Sequence, residues 1–176
     1  MAYDAERIRH RLQELAYLFP TARFAFDNRR DSETTAYQFA NGLADLVAAL
    51  NRGSNVFPVE PIRVSGEQGS CLVRAAVQWS DTLEETIRSF ANARETLDGG
   101  THTAGLKRAV KEAVNQLGIA SQIGARSLTA VVSVQIPRPS YYSADTVRLD
   151  NKDVEVSVFS VVYAALIERF APPSVP

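Results

Sequence analysis

Residues 76–110 read AVQWSDTLEETIRSFANARETLDGGTHTAGLKRAV, and the spacing of their apolar residues changes twice. Up to Trp79 the pattern has period two. Cys71, Val73, Ala75, Val77 and Trp79 fall on one face, with Arg74 and Gln78 on the other, which predicts a half-buried strand. EETIRSFAN (84–92) reads as a further strand. Beyond DGGTHTAGLKR (98–108), Leu106, Ala109, Val110, Ala113, Val114 and Leu117 recur at helical spacing until Gly118 stops them. Strands feeding a helix through a glycine turn define an α/β protein.

The turn itself could hold a phosphate, position an imidazole or only start a helix. GTHTAGLK (100–107) is close to a P-loop but fails at two places. Leu106 separates the glycine from the lysine, and Arg108 stands where a magnesium-binding hydroxyl is needed. The residue types fit a structural role better. Gly99 and Gly100 reach dihedrals closed to other residues, and Thr101 or Thr103 can cap the first free amides of the helix.

No other constellation carries chemistry. The two histidines, His10 and His102, lie far apart and only one cysteine is present, so no metal-ligand spacing exists. Gly69-Ser70-Cys71 lacks the glycine pattern of a nucleophile elbow, and Cys71 shares its face with Val73 and Val77 as a core residue would. Glu84, Glu85 and Glu95 read as solvated carboxylates. Two basic clusters, Arg7–Arg9–Arg11 and Lys107–Arg108–Lys111, could meet a phosphate backbone, although solvated helix faces are commoner. Neither a catalytic residue nor a metal site is expected.

Outward from the centre, Ile8, Leu12, Leu15, Ala16 and Phe19 form a helical stripe over residues 5–19, closed by Pro20. RFAFDN (23–28) alternates as a short strand before a polar turn, RRDSETT. A helix over 38–51 carries Phe39, Leu43, Leu46, Val47 and Leu50 and exits at Gly53. PIRVSGEQGSCLVRAAVQWS (61–80) predicts an antiparallel pair turning near Gly66 to Gly69. SLTAVVSVQIP (127–137) is the most strand-like run, rich in β-branched residues. Residues 154–161 alternate like a strand, but the length of 154–170 favours a helix with Val158, Val162, Ala165, Ile167 and Phe170 inward. The tail APPSVP is expected to be disordered.

A chain of 176 residues with net charge −1 fits one globular domain and argues against a dedicated nucleic-acid binder. No apolar run approaches the roughly 20 residues of a membrane helix. The single cysteine suits a reducing compartment, so a cytoplasmic protein is expected.

The stretch 76–110, followed by LTAVVSVQIPRP, resembles the transducer domain of the DNA gyrase B subunit and its topoisomerase IV counterpart. Strand ends in Gln-Trp and Phe-x-Asn, the Gly-Gly-Thr-His-x-x-Gly-Leu turn and the later Ala-Val-Val-Ser-Val strand occur in the family's order. RLQELAYLFPTARFAFDNRR and GLADLVAALN also resemble it, so the similarity runs from about residue 3 to about residue 170. The resemblance implies a two-layer sandwich: a mainly antiparallel four-stranded sheet, helices on one face and a left-handed βαβ crossover. It divides the chain into a transducer-like domain, 1–170, with residues 1–20 as a linking helix, and the tail 171–176.

In that family the domain reports the nucleotide state of a GHKL-type ATPase domain, through a Gln-Thr-Lys loop whose lysine reaches the γ-phosphate. Here Ala144, Asp145 and Thr146 stand at that position, with Arg148 beyond, so the sensor lysine is absent. In the motif turn, Gly99, Gly100, Thr101, His102 and Gly105 are retained. The expectation is a divergent, free-standing, non-catalytic module whose partner is a gyrase-type subunit or a GHKL-type ATPase domain. A piece of a degenerate gyrase-like subunit is the competing origin. ATP and magnesium would enter only with an ATPase domain supplied in trans, where Arg148 could act as the cation. DNA contact through the basic clusters is the weakest alternative.

Overall fold

The structure is a computed structural model and describes residues 4–28, 33–142 and 144–171. Helix α1 (Ala5–Leu18) starts where the Asp4 side chain accepts the Arg7 amide at 3.1 Å and ends before Pro20. Only its last turns are buried, through Glu14, Ala16, Tyr17 and Leu18; Ile8, Leu12 and Leu15 are half-buried. Strands β1 (Phe24–Asn28) and β2 (Glu33–Tyr37) form a separate two-stranded antiparallel sheet. The end of the expected polar turn is therefore β2, and residues 29–32 lie outside the described residues.

Helix α2 is shorter than its periodicity suggests, Leu43–Leu50. Gly42 bends the chain at φ 59°, and Phe39 leaves the helix to stack on Tyr17 with ring centroids 3.8 Å apart. β3 (Val56–Gln68) and β4 (Cys71–Ser80) form the expected antiparallel pair, with a register shift between Phe57 and Ile62, where both prolines fall. The turn is tighter than expected, because Gln68 pairs with Cys71 and only Gly69 and Ser70 link the strands. Gly66 has another use. It lies within β3, where a Cβ would stand 2.8 Å from Val161 of the last helix.

β5 (Thr86–Ala91) turns through Asn92 and Ala93 into the two-residue β6 (Arg94–Glu95). Both turn residues have positive φ, 47° and 65°, as a two-residue hairpin loop of the primed type demands. α3 (Thr101–Leu117) ends at Gly118 in the left-handed conformation, and a short α4 (Ala120–Ile123) precedes β7 (Ser127–Gln135). The ambiguous last segment is helical, α5 (Lys152–Phe170), with Val154, Val158, Val162 and Leu166 fully inward. Ala165, Ile167 and Phe170 are only half-buried. Residues 172–176, the rest of the expected disordered tail, lie outside the described residues.

The main sheet has the order β3-β4-β7-β5-β6 and is antiparallel except between β5 and β7. It differs from the expected four-stranded sheet covered on one face. There is a fifth strand, and both faces are covered. α3 and α5 pack on Cys71, Val73, Ala75, Val77 and Trp79. α2 and the end of α1 cover Ala76, Phe90 and Val131 on the other face. Gln78 is buried on that second face because its amide is fully used. It accepts from Asn51 at 2.8 Å and donates to the carbonyls of Pro58 and Val59 at 2.9 and 3.1 Å.

α1 is fastened to the sheet edge by charge. Glu14 bonds Arg88 and accepts from Arg11 at 3.3 Å; Arg88 also donates to Glu95 at 2.7 Å, and Arg11 donates to the Ala93 carbonyl at 2.7 Å. Burial disfavours the Arg88 charge, yet the hydrogen bonds and charges of Glu95 and Glu14 outweigh it and raise its pKa. Removing the carboxylate in Glu14→Ala leaves a partly buried guanidinium short of its partner. Urea denaturation should show a loss of about 2 kcal/mol, with faster amide exchange in α1. Ala93→Gly should move the urea midpoint the other way, gaining up to about 1 kcal/mol by relieving a left-handed residue with a side chain.

Candidate functional site

Two stretches singled out in the sequence, 98–105 and 144–148, meet in space. The backbone does the joining. Gly100 forms a parallel bridge with Leu149. Leu149 donates to the Gly99 carbonyl at 3.0 Å, and Thr101 donates to the Leu149 carbonyl, also at 3.0 Å. Asp98 donates to the Val147 carbonyl at 3.0 Å. A Cβ on Gly100, where φ is 133°, would lie 2.1 Å from the Leu149 oxygen. Only glycine permits this approach.

The loop after β7 is closed on itself as well. Tyr141 bridges Leu149 in antiparallel fashion, Tyr142 donates to the Arg148 carbonyl at 3.0 Å, and Asp150 donates to the Ser140 carbonyl at 2.9 Å. Ala144 and Asp145 sit at the exposed tip. Thr146 takes φ 61° and bonds the Asp145 carbonyl at 2.6 Å. The Arg148 guanidinium is exposed and lies 5.4 Å from the centre of the Tyr142 ring, a cation–π distance.

At the helix start, Thr103 closes the turn, and Thr101 does not. The Gly100 amide donates to Thr103 Oγ1 at 3.0 Å and Thr103 Oγ1 donates to the Gly100 carbonyl at 2.7 Å, whereas Thr101 Oγ1 is buried without a partner. Gly105 serves a second close approach, since its Cβ would stand 2.4 Å from the Glu155 carbonyl oxygen on α5.

His102 is fully buried. Its Nε2 lies 2.9 Å from Thr96 Oγ1, which also meets the Ser89 carbonyl at 3.0 Å and the Ser89 hydroxyl at 2.7 Å. Among the described residues Nδ1 has no hydrogen-bond partner. Burial pushes the imidazole pKa down to about 4. The ring is neutral, buried and hydrogen-bonded to Thr96.

The remaining candidates are dispersed. Burial and, secondarily, Asp153 raise the Cys71 thiol to about 11 against a hydrogen bond to Ser157, so it is no nucleophile at neutral pH. Glu85 pairs with Lys107 on α3, and Glu95 with Arg88. The basic clusters are largely answered by carboxylates: Arg9 by Glu33, Arg11 by Glu14, and Arg108 by Glu112 and Glu155 at 3.5 Å. Among the described residues no helix is long and apolar enough to cross a membrane.

Nothing in the residue pattern marks Thr96 or Ser89 as partners of this region, because their contacts depend on a strand edge.

The histidine supplies a pH test. The folded state resists protonation down to about pH 4, while an unfolded imidazole binds a proton near pH 6.5. Between those values the unfolded state binds more protons, so stability should fall with falling pH by at most about 3 kcal/mol. Denaturation midpoints measured from pH 7 to pH 4 should show that slope, and His102→Gln should flatten it.

Comparison with known proteins places this geometry. Residues 42–174 match the family model described as DNA gyrase B. The chain is 31% identical over 174 residues to the DNA gyrase B subunit of Archaeoglobus fulgidus, covering 94% of this chain and 27% of that protein. It is 30% identical over 175 residues to the type 2 topoisomerase B subunit of Aquifex aeolicus, covering 93% and 22%. It thus spans only about a quarter of these relatives' length. Among solved structures, the 43K ATPase domain of Thermus thermophilus gyrase B, in complex with an aminocoumarin, superposes with a TM-score of 0.85 at 28% identity. That match covers 96% of this chain and 49% of that one. The B subunit of Myxococcus xanthus gyrase gives 0.82 at 27% identity, with 95% and 56% covered. With the family model matched from the start of α2 to the end of α5, the chain belongs to the DNA gyrase B family.

Proposed function

We propose that the chain is a transducer-type module of a type IIA topoisomerase B subunit, acting through protein contacts and performing no chemistry itself. The observation that carries this is the contrast between frame and tip. The loop base is held by the Gly100–Leu149 contact, while the tip at the nucleotide-sensing position offers Ala144, Asp145 and Thr146. These residues do not fit a γ-phosphate. An exposed carboxylate repels the charge that a sensor must attract, and catalysis of phosphoryl transfer needs a cation there. Arg148, the arginine nearest the tip, stacks on Tyr142.

The partner on this reading is a GHKL-type ATPase domain or a gyrase-type subunit, the setting in which the family uses this fold. ATP and magnesium belong to that partner. A second reading makes Arg148 the missing cation, delivered in trans; its exposure and its place three residues from Asp145 favour that alternative.

One assay separates them. The chain is mixed with a gyrase B ATPase fragment that lacks its own second half, and both complex formation and ATP turnover are followed. We expect a complex by analytical ultracentrifugation and turnover equal to that of the fragment alone. A rise in turnover that Arg148→Ala removes would establish the second reading; absence of any complex would overturn the first.

A further inference from the structure

We propose a binding site for a phosphate group in the cleft between the end of α1, the turn before α2 and the β3–β4 surface. The cleft has a volume of about 300 Å³. Its floor is set by strand register. Ser65 on β3 stands opposite Arg74 on β4, and Arg63 opposite Ala76, so Arg63, Ser65 and Arg74 rise from the same face. Tyr17, Pro20 and Leu43 supply apolar walls.

A guanidinium group held against the fold normally comes with a carboxylate, as Arg88 does with Glu14 and Glu95. Here none lines the cleft, and among the described residues neither Arg63 nor Arg74 makes an ion pair. Each commits one nitrogen to a neutral oxygen. Arg63 donates to Asn41 Oδ1 at 3.2 Å and Arg74 to the Leu18 carbonyl at 3.3 Å. The nearby carboxylate, Asp45, has both oxygens taken by Asn41, at 2.9 and 3.1 Å.

That leaves two guanidinium forks and the Ser65 hydroxyl with donors to spare beside an apolar wall. A tetrahedral oxyanion accepts from both forks and the hydroxyl together. The volume exceeds what one oxyanion fills, and the aromatic and proline walls suit a compact apolar body, so a phosphomonoester fits best. The site spans a junction. Arg74 reaches back to α1 and Arg63 to the residue before Gly42, where the gyrase B family match begins. A bound phosphate therefore ties the N-terminal helix to the sheet, independently of the role proposed for the 144–148 loop.

Isothermal titration calorimetry with phenyl phosphate and with inorganic phosphate, against sodium chloride at matched ionic strength, tests the site. Saturable binding of phosphate compounds, absent with chloride, is expected. Tighter binding of phenyl phosphate identifies an ester as the ligand, and equal binding identifies free phosphate. Arg63→Gln and Arg74→Gln keep a donor for Asn41 and Leu18 but remove the charge, and each should weaken binding about tenfold or more. Arg108→Gln, on α3, should leave it unchanged. Amide shifts in the unaltered protein should cluster at 40–44, 63–65 and 74. No saturable heat, a response equal to that of chloride, or full affinity in both glutamine variants overturns the proposal.

Discussion

The arrangement of this domain's loop end depends on one place where two backbones touch. Gly100 carries no side chain, and the Leu149 carbonyl occupies the space a Cβ would need, 2.1 Å away. The contact converts two segments nearly fifty residues apart into neighbours, through the Gly99 and Leu149 carbonyls. Losing it would do more than strain one residue. It would unpin the base of the 141–149 excursion and free the start of α3 at once, because the same hydrogen bonds serve both. Gly105 repeats the device one turn further on, letting the backbones of α3 and α5 cross at Glu155. Two glycines at the start of one helix thus position the loop and then the last helix.

The sheet explains why those helices have a firm base. Its central strands are buried on both faces, apolar on one and partly polar on the other, so they need cover twice. α3 and α5 cover one face, and α2 with the end of α1 covers the other. The second layer is held partly by buried polar groups that pair with one another. Asn51 bridges Gln78 and Thr129, each at 2.8 Å, joining the exit of α2 to β4 and β7. A buried amide in such a network is worth more as a register mark than as a source of net stability, because an unmatched alternative pairing would strand it. At the sheet edge the Glu14, Arg11 and Arg88 cluster does the same for α1, in charge rather than in neutral hydrogen bonds.

Much of this is legible in the residues. Period-two alternation places β4, and the β-branched run within 127–137 places β7. Glycine stops at 53 and 118 fall where the helices exit. The last helix is recoverable by length although its first half alternates, because Val154, Val158, Val162 and Leu166 also fit a four-residue period. Three features are hidden for definite reasons. Asn92-Ala93 is a poor hairpin signal, since its second residue has a side chain at φ 65°, in a turn held by contacts from distant segments: Asn92 bonds Ile136, and Arg11 bonds the Ala93 carbonyl. Gly66 looks like a turn residue but yields space to Val161, about ninety-five residues later. The second layer escapes the pattern because strand alternation marks Arg74 and Gln78 as solvent-facing, whereas Gln78 is 2% exposed and Arg74 reaches the end of α1. The resemblance to the gyrase B family supplies the order of elements; it does not supply these local reasons.

The base of the 141–149 excursion is pinned to the start of α3 by backbone contacts in which Ala144 takes no part. That base is held by backbone bonds and by the Asn151 side chain, from Ser140 and Tyr141 to Leu149 and Asp150. Ala144 and Asp145 are exposed and lie outside both hydrophobic clusters. Substitution at such positions costs a fraction of a kcal/mol, far less than substitution at Gly100 or Leu149. At Ala144 the scaffold places little structural demand on the side chain it presents, whereas Thr146, at φ 61°, is constrained by its backbone. Fold likeness alone therefore cannot carry activity, which has to be argued from the tip.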